Sequence, residues 1–90
     1  MIAMGALKDG ERYQHYKDGF ARRFRIACAQ CDMKYIEVAK AIGTSTSAIY
    51  SYAHAERLPS AYTLSKIAIA LNIDANKLLG IRRRGNDEDC

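Results

Sequence analysis

Two cysteines and two histidines are the side chains of this sequence best suited to metal or redox chemistry. Cys28 and Cys31 form a CxxC pair, a spacing found in zinc sites and in thiol–disulfide centres. A zinc site needs further ligands, but there is no second CxxC, and His15 and His54 lack ligand spacing. A free cysteine on the inward face of a helix behaves as a small hydrophobic residue, which is our interpretation of Cys28. The sequence therefore predicts no metal and no cofactor.

No residue pattern indicates catalysis. The sequence has no glycine-rich phosphate loop, no nucleophile elbow and no paired carboxylates on one predicted helix face. Three tyrosines, Tyr50, Tyr52 and Tyr62, could form a ring-stacking surface, but Tyr52 and Tyr62 are predicted to fill the core instead. We therefore expect a binding protein and not an enzyme.

Composition indicates one soluble domain with a polyanionic partner. The chain has 90 residues, 49% of them hydrophobic, which is enough for a small buried core. Its net charge of +4 and isoelectric point of about 9.1 suit nucleic acid. No apolar run reaches the roughly 18–20 residues that cross a bilayer, and the N-terminal residues are too few for a signal peptide. We therefore expect no membrane contact. Because the three cysteines have no disulfide-framework spacing, we also expect a reducing, cytoplasmic location.

The segment 35–52, YIEVAKAIGTSTSAIYSY, is typical of two short helices joined at Gly43. A glycine at this position can end a helix with positive φ at no steric cost. Ser45 is well placed to cap the second helix. The apolar face of the first helix consists of Ile36, Val38, Ala39 and Ile42, and that of the second consists of Ile49 and Tyr52. The segment therefore predicts a helix-turn-helix.

Three further helices are predicted around this unit. The first has a core segment from Phe20 to Cys31. The helical spacing of Tyr13, Tyr16, Phe20 and Phe24 favours a start before Asp18, whereas the interior glycine, Gly19, disfavours it. Its inward residues are predicted to be Phe20, Phe24, Ala27 or Cys28, and Cys31, with Arg22, Arg23 and Arg25 directed outward or sideways. Ser60 is predicted to cap a helix over Ala61–Leu71, and Asp74 to cap a short one that ends at Gly80.

The charge pattern divides the chain into three parts. Residues 1–12 are predicted to be a flexible or partly ordered arm and residues 13–81 an all-α domain. Residues 82–90 are predicted to be a solvated tail, in which three arginines and three acids cancel.

From about Phe20 to Leu79, the sequence resembles the lambda-repressor-like (Cro/CI, or XRE) helix-turn-helix family. The positions that carry the resemblance are Met33, Val38, Ala39, Ile42, Gly43, Ser45, Ile49, Pro59, Ser60, Leu64, Ile67, Ala68, Leu71, Leu78 and Leu79. The resemblance implies a compact five-helix domain that binds double-stranded operator DNA, usually as a two-fold dimer.

The sequence departs from this family at several positions. Tyr35 replaces a glutamine that meets a phosphate, and Lys34 replaces a Ser/Thr cap, which leaves Asp32 as another capping candidate. Cys28 and Ala53 replace an arginine and a glutamate that form a partly buried ion pair. The loss of both partners together can be neutral, whereas the loss of one would strand a charge.

The loop after the second helix contains a further departure from the family. Ala55 stands where the family often has glycine, so a positive φ there would be strained.

The resemblance implies that the second helix of the unit enters the major groove. Its candidate base contacts are Thr46, Ser47, Tyr50 and Ser51; the alternative is that the hydroxyls are simply solvated. The candidate phosphate contacts are Lys34, Tyr35, Lys40, His54 and Arg57, each of which could equally be a solvated surface residue. Hydroxyl groups read bases less sharply than bidentate Arg, Asn or Gln, so we expect much of the affinity to come from phosphates and DNA shape.

These expectations combine into a sequence-specific transcriptional regulator, with repression by operator occupancy as a homodimer. Residues such as Ile73, Leu79 and Ile81 are candidates for the dimer surface. The alternative is a protein-interaction module, such as an antitoxin or a regulatory subunit, that uses the same fold. No small-molecule ligand is indicated.

Overall fold

The computed structural model describes residues 9–81, which form five α-helices and no strand. The helices are α1 (Asp9–Gln30), α2 (Tyr35–Ile42), α3 (Thr46–Ala53), α4 (Ala61–Leu71) and α5 (Ala75–Leu79). The predicted all-α architecture with five helices is confirmed for the described residues. The predicted tail, 82–90, and the first eight residues of the predicted arm lie outside the described residues.

The core lies between the five helices: α1 packs against α3 and α5, and α2 packs against α3 and α4. Phe20 and Phe24 of α1 are fully buried, and each such side chain contributes about 1.5–3 kcal/mol relative to an exposed one. The remaining buried residues of the cluster come from every element: Ala27, Cys28, Val38, Ala39, Ile42, Ala48, Ile49, Tyr52, Ala53, Ile67, Leu71 and Leu78. Tyr52 is therefore in the core, as predicted.

Helix α1 is longer than the sequence predicts. It begins at Asp9, so residues 9–12 are helical and do not belong to a flexible arm. Gly19 lies inside the helix, where glycine costs about 1 kcal/mol relative to alanine. Burial of Phe20, Ala21 and Phe24 immediately after it outweighs this cost. The Nζ of Lys17 also lies 4.6 Å from the centroid of the Tyr13 ring, one turn apart on the same helix face.

Three side chains that were predicted to be inward are exposed. Ile36 is 49% exposed, because it lies about 110° around α2 from the mean direction of the buried Val38, Ala39 and Ile42. Cys31 is exposed because α1 ends at Gln30 and the chain turns away from the core. Tyr62 is 72% exposed in the first turn of α4, where the Lys66 ammonium lies 4.4 Å from its ring centroid.

Arg23 holds α5 against α1. Its Nε donates a hydrogen bond of 2.7 Å to the carbonyl of Leu78, and its guanidinium fills the space between Gly19 and Gly80. A Cβ on Gly80 would lie 2.7 Å from the Arg23 Cζ, and Gly80 has φ +76°. Of the two predicted orientations, outward or sideways, Arg23 takes the sideways one: it is half-buried and packs between α1 and α5.

Candidate nucleic-acid interface

The α2–α3 unit is fixed by its turn and caps. Gly43 ends α2 with φ +75°, and its N–H donates to the carbonyl of Ala39. The Ser45 hydroxyl then accepts the N–H of Ala48 at 3.1 Å, which caps α3. The predicted glycine turn and serine cap are both present, and they set the angle between α2 and α3.

One face of α3 is directed to solvent. Ser47, Tyr50 and His54 are exposed and Ser51 is half-buried; their spacing of three and four residues places them on one side of the helix. Thr46, the first residue of α3, is half-buried beside this face. The structure therefore brings all four predicted base-contact residues to the N-terminal and outer side of α3.

A series of aromatic rings connects the core to this face. The Phe20 and Phe24 rings stack with centroids 5.9 Å apart, and Phe24 stacks on Tyr35 at 6.4 Å. Tyr35 in turn meets Tyr50 edge-on at 5.1 Å. Tyr50 is 49% exposed, yet its ring is held against a half-buried neighbour. Tyr35 thus positions Tyr50, a role that the sequence did not reveal.

The phenol of Tyr35 stays protonated at neutral pH. Burial raises the pKa of Tyr35 above its ordinary value, with smaller contributions from Cys28 and Tyr50 that outweigh the opposing Arg25 charge. A protonated phenol can donate a hydrogen bond to a phosphate oxygen. The Tyr35 hydroxyl can therefore donate to a phosphate, as predicted, while the ring packs against Tyr50.

Lys34 and Lys40 lie at opposite ends of α2. Lys34 occupies the N-cap position, and its backbone N–H donates to the Glu37 carboxylate at 2.8 Å, so the side chain is not the cap. Asp32 does not cap α2 either; with φ +57° it is the left-handed residue that ends α1. Lys40 is exposed roughly 9 Å farther along the axis, so the two lysines would reach different phosphates.

The segment after α3 contains a histidine, an arginine and a glutamate. His54 is exposed, and its Nδ1 lies 2.9 Å from the carbonyl of Tyr50. Arg57 is exposed with its guanidinium 5.7 Å from the Tyr52 ring centroid. Glu56, which sequence reasoning did not single out, accepts a hydrogen bond of 3.3 Å from the Ser51 hydroxyl. Ser51 is thereby partly engaged within the protein, and a carboxylate lies beside the exposed face of α3.

Ala55 adopts the strained conformation that its position in the loop implies. Its φ is +63°, the left-handed region that the family often fills with glycine. The loop follows this path because the N–H of Glu56 donates to the Ser51 carbonyl at 2.9 Å. The Gln14 amide also approaches the Ala55 carbonyl at 3.5 Å. The loop between α3 and α4 is therefore attached to α3 and to α1 despite the strain.

Arg25 is the positioning residue that sequence reasoning missed. Its Nη1 donates a hydrogen bond of 2.7 Å to the carbonyl of Ala53, the last residue of α3. The sequence placed the lost family ion pair at Cys28 and Ala53; the arginine of this chain lies three residues, about one turn, earlier on α1. The signal that could have identified it is the helical spacing of Arg25, one turn before Cys28 on the side facing α3.

Other site chemistries find no support in the part of the chain that the structure describes. Within residues 9–81, no three His, Cys, Asp or Glu side chains are grouped as a metal site would require. None of the helices described there has the length and apolar character needed to cross a membrane.

Comparison with known families places this interface in context. A family model described as Helix-turn-helix matches residues 23–78, which is more than half of the chain and includes α2, α3 and α4 completely. No curated protein and no solved structure gives a significant match. The first fourteen residues of α1, 9–22, lie outside the matched region.

Proposed function

The chain belongs to the lambda-repressor-like (XRE) helix-turn-helix family of DNA-binding transcription regulators, and on that premise we propose that it is a cytoplasmic, sequence-specific repressor. It would act by occupying operator DNA as a homodimer. The observation that carries the proposal is the exposed polar face of α3, held at a fixed angle to α2 by Gly43 and Ser45. A helix presented in this way fits the major groove.

We infer that Thr46, Ser47, Tyr50 and Ser51 contact base edges. Hydroxyl groups bond either donors or acceptors, and the threonine methyl can meet the thymine methyl. Each of these contacts discriminates less than a bidentate pair, and Glu56 already occupies the Ser51 hydroxyl. Sequence preference therefore comes substantially from DNA shape and phosphate geometry.

The phosphate contacts we propose are Lys34, Tyr35, Lys40, His54 and Arg57. They flank α3 at the start of α2, the end of α2 and the loop after α3. The backbone N–H groups at the start of α2 and α3 favour anions as well. Such contacts orient the helix on the duplex and supply affinity without reading sequence.

The dimer surface we propose is centred on the end of α5. Ile81 is exposed there, while Leu79 and Ile73 are partly buried against the core. Ile81→Asp is therefore the better test, since Leu79→Asp would also damage packing. We expect Ile81→Asp to lower the dimer fraction in sedimentation and to weaken binding to a palindromic duplex more than to a half-site. An unchanged dimer fraction would place the interface elsewhere.

Selection from random duplexes tests the function directly. We expect a palindromic motif whose half-sites are about one helical turn, roughly 34 Å, apart. The affinity for this motif should fall steeply as salt concentration rises. Failure to retain any duplex at low salt would overturn the DNA-binding proposal.

A protein-interaction module is the second candidate, and the exposed face of α4 favours it. Tyr62 and Ile69 are the most exposed large hydrophobic side chains of the described residues. Exposed side chains of this size on one helix face could contact a protein partner. Binding of a protein partner through Tyr62 and Ile69, with no duplex retained, would support this reading.

A further inference from the structure

Cys28 and Cys31 form an asymmetric pair of thiols at the C-terminal end of α1. Cys28 is only 2% exposed and belongs to the core cluster. Cys31 is exposed and lines a surface cleft of about 490 Å³. Its Sγ lies 3.0 Å from the Leu71 carbonyl, to which the thiol donates a hydrogen bond. The Cys31 sulfur is therefore open to a small oxidant, and Cys28 is the nearest cysteine to it along the chain.

Helix geometry brings residues at the spacing of Cys28 and Cys31 near the range of a disulfide. Residues three apart on a helix have Cβ atoms about 5–6 Å apart, whereas a disulfide needs about 3.5–4.5 Å. A shift of about 1–2 Å closes the pair. The shift falls where α1 ends, since the N–H of Cys31 makes the final i to i−4 bond, to Ala27, and Asp32 has φ +57°. The interior of α1 does not have to move.

We propose that peroxide oxidises Cys28 and Cys31 to an intrachain disulfide, and that this disulfide displaces the turn leading into α2. The Cys31 thiolate attacks one peroxide oxygen, which cleaves the O–O bond, releases hydroxide and leaves a sulfenic acid on Cys31. The Cys28 sulfur then attacks the sulfenic sulfur, loses its proton, and the S–O bond breaks with release of water. In total, two thiols lose two electrons and two protons, and one hydrogen peroxide becomes two waters.

The order of attack follows from the two environments. Burial raises the pKa of the Cys28 thiol to about 11, with a further contribution from Cys31, so Cys28 stays protonated near neutral pH. Cys31 is the exposed thiol and meets peroxide first. Cys28 acts second, as the resolving thiol.

The disulfide would alter the DNA face through the turn 31–34. Closing the pair removes the Cys31 thiol from the Leu71 carbonyl and tightens the last turn of α1. Met33, whose N–H donates to the Cys28 carbonyl at 3.0 Å, moves with it. Lys34 and Tyr35, two of the proposed phosphate contacts, follow immediately in the chain. The effect of the disulfide on DNA binding therefore rests on the proposed function. We expect about tenfold weaker DNA binding after oxidation, equivalent to about 1.4 kcal/mol.

The test uses the full chain carrying Cys90→Ser, so that no other thiol can pair. After treatment with hydrogen peroxide, we expect both remaining thiols to resist alkylation in denaturant, the intact mass to fall by two hydrogens, and dithiothreitol to reverse both changes. Amide hydrogen exchange should rise at residues 32–35 and not in α3. The matched control is Cys31→Ser, which keeps a donor for the Leu71 carbonyl and should show none of these changes.

Three results would overturn the proposal: two thiols that still alkylate, a sulfinic acid without a disulfide, or a disulfide that leaves exchange at residues 32–35 unchanged. None of these readouts involves DNA. If the reduced protein binds no duplex, the proposed function fails. The thiol count and the hydrogen exchange would still show whether the disulfide forms and displaces residues 32–35.

Discussion

The Arg25 guanidinium donates a hydrogen bond of 2.7 Å to the Ala53 carbonyl and thereby connects α1 to the C-terminal end of α3. Ala53 is fully buried, so its carbonyl has little access to water. In this chain a charged side chain bonds a helix carbonyl, at the place where the resemblance implies an ion pair between two side chains. The connection between the two helices is preserved with different chemistry.

Replacing Arg25 should destabilise the domain and loosen α3. A hydrogen bond to a charged group contributes about 1.5–3 kcal/mol, so we expect Arg25→Met to lower the free energy of unfolding by about 2 kcal/mol. DNA binding should weaken as well, because α3 is less well positioned. Urea denaturation and anisotropy with a selected duplex measure the two effects. Arg22→Met, at an exposed position of the same helix, is the control, and an equal loss in both variants would contradict the assigned role.

Ala55→Gly should stabilise the protein. Ala55 has φ +63°, and the left-handed region costs a non-glycine residue about 1–2 kcal/mol. The greater entropy of glycine in the unfolded chain offsets part of this gain, so we expect a net increase of about 0.5–1 kcal/mol in unfolding free energy. Ala41→Gly, at an exposed position inside α2, should instead lose about 1 kcal/mol. If both variants are destabilised alike, the left-handed conformation of Ala55 is wrong.

The two roles of Tyr35 can be separated by two substitutions. Tyr35→Phe keeps the ring against Phe24 and Tyr50 but removes the hydroxyl, so only DNA affinity should fall, by about 1 kcal/mol. Tyr35→Ala removes the ring too and should lower thermal stability and sequence discrimination together, because Tyr50 loses its neighbour. Equal DNA affinity of Tyr35→Phe and wild type would remove the hydroxyl from the phosphate contacts.

Lys34 and Lys77 provide a matched pair for the salt dependence of binding. Both are exposed lysines, but Lys34 adjoins α2 on the proposed DNA side, whereas Lys77 lies on α5. Lys34→Ala should reduce the slope of log affinity against log salt by about one unit, and Lys77→Ala should leave it unchanged. A slope that responds equally to both would indicate diffuse attraction without a fixed docking geometry.

Burial of the Cys28 thiol should make stability fall at alkaline pH. Its pKa rises from 9.0 to about 11 in the folded protein, so between these values the unfolded chain releases the proton first. The unfolded state then binds fewer protons, and unfolding free energy decreases as pH rises, by up to about 2 kcal/mol between pH 9 and 11. Urea titrations of wild type and Cys28→Ala isolate this effect from the tyrosines. A difference between them that does not change with pH would contradict it.

Much of the architecture was determined by the sequence itself. Gly43, Ser45, Ser60, Asp74 and Gly80 end or begin helices as predicted, because caps and left-handed turns depend on residues only a few positions away. The periodic apolar residues of α2 to α4 likewise identify most of the buried face. The helix-turn-helix unit and its polar outer face are therefore local properties of the chain.

The tertiary structure decided which of these side chains act on one another. The bond from Arg25 to Ala53 spans 28 residues, that from Arg23 to Leu78 spans 55, and the contact of Tyr35 with Tyr50 joins two helices. The exposure of Cys31, which follows the last residue of α1, and of Tyr62, in the first turn of α4, likewise depends on where the packed core ends. Periodicity shows which side of a helix is apolar. Only the packing of the neighbouring helices determines how many of those apolar side chains are buried.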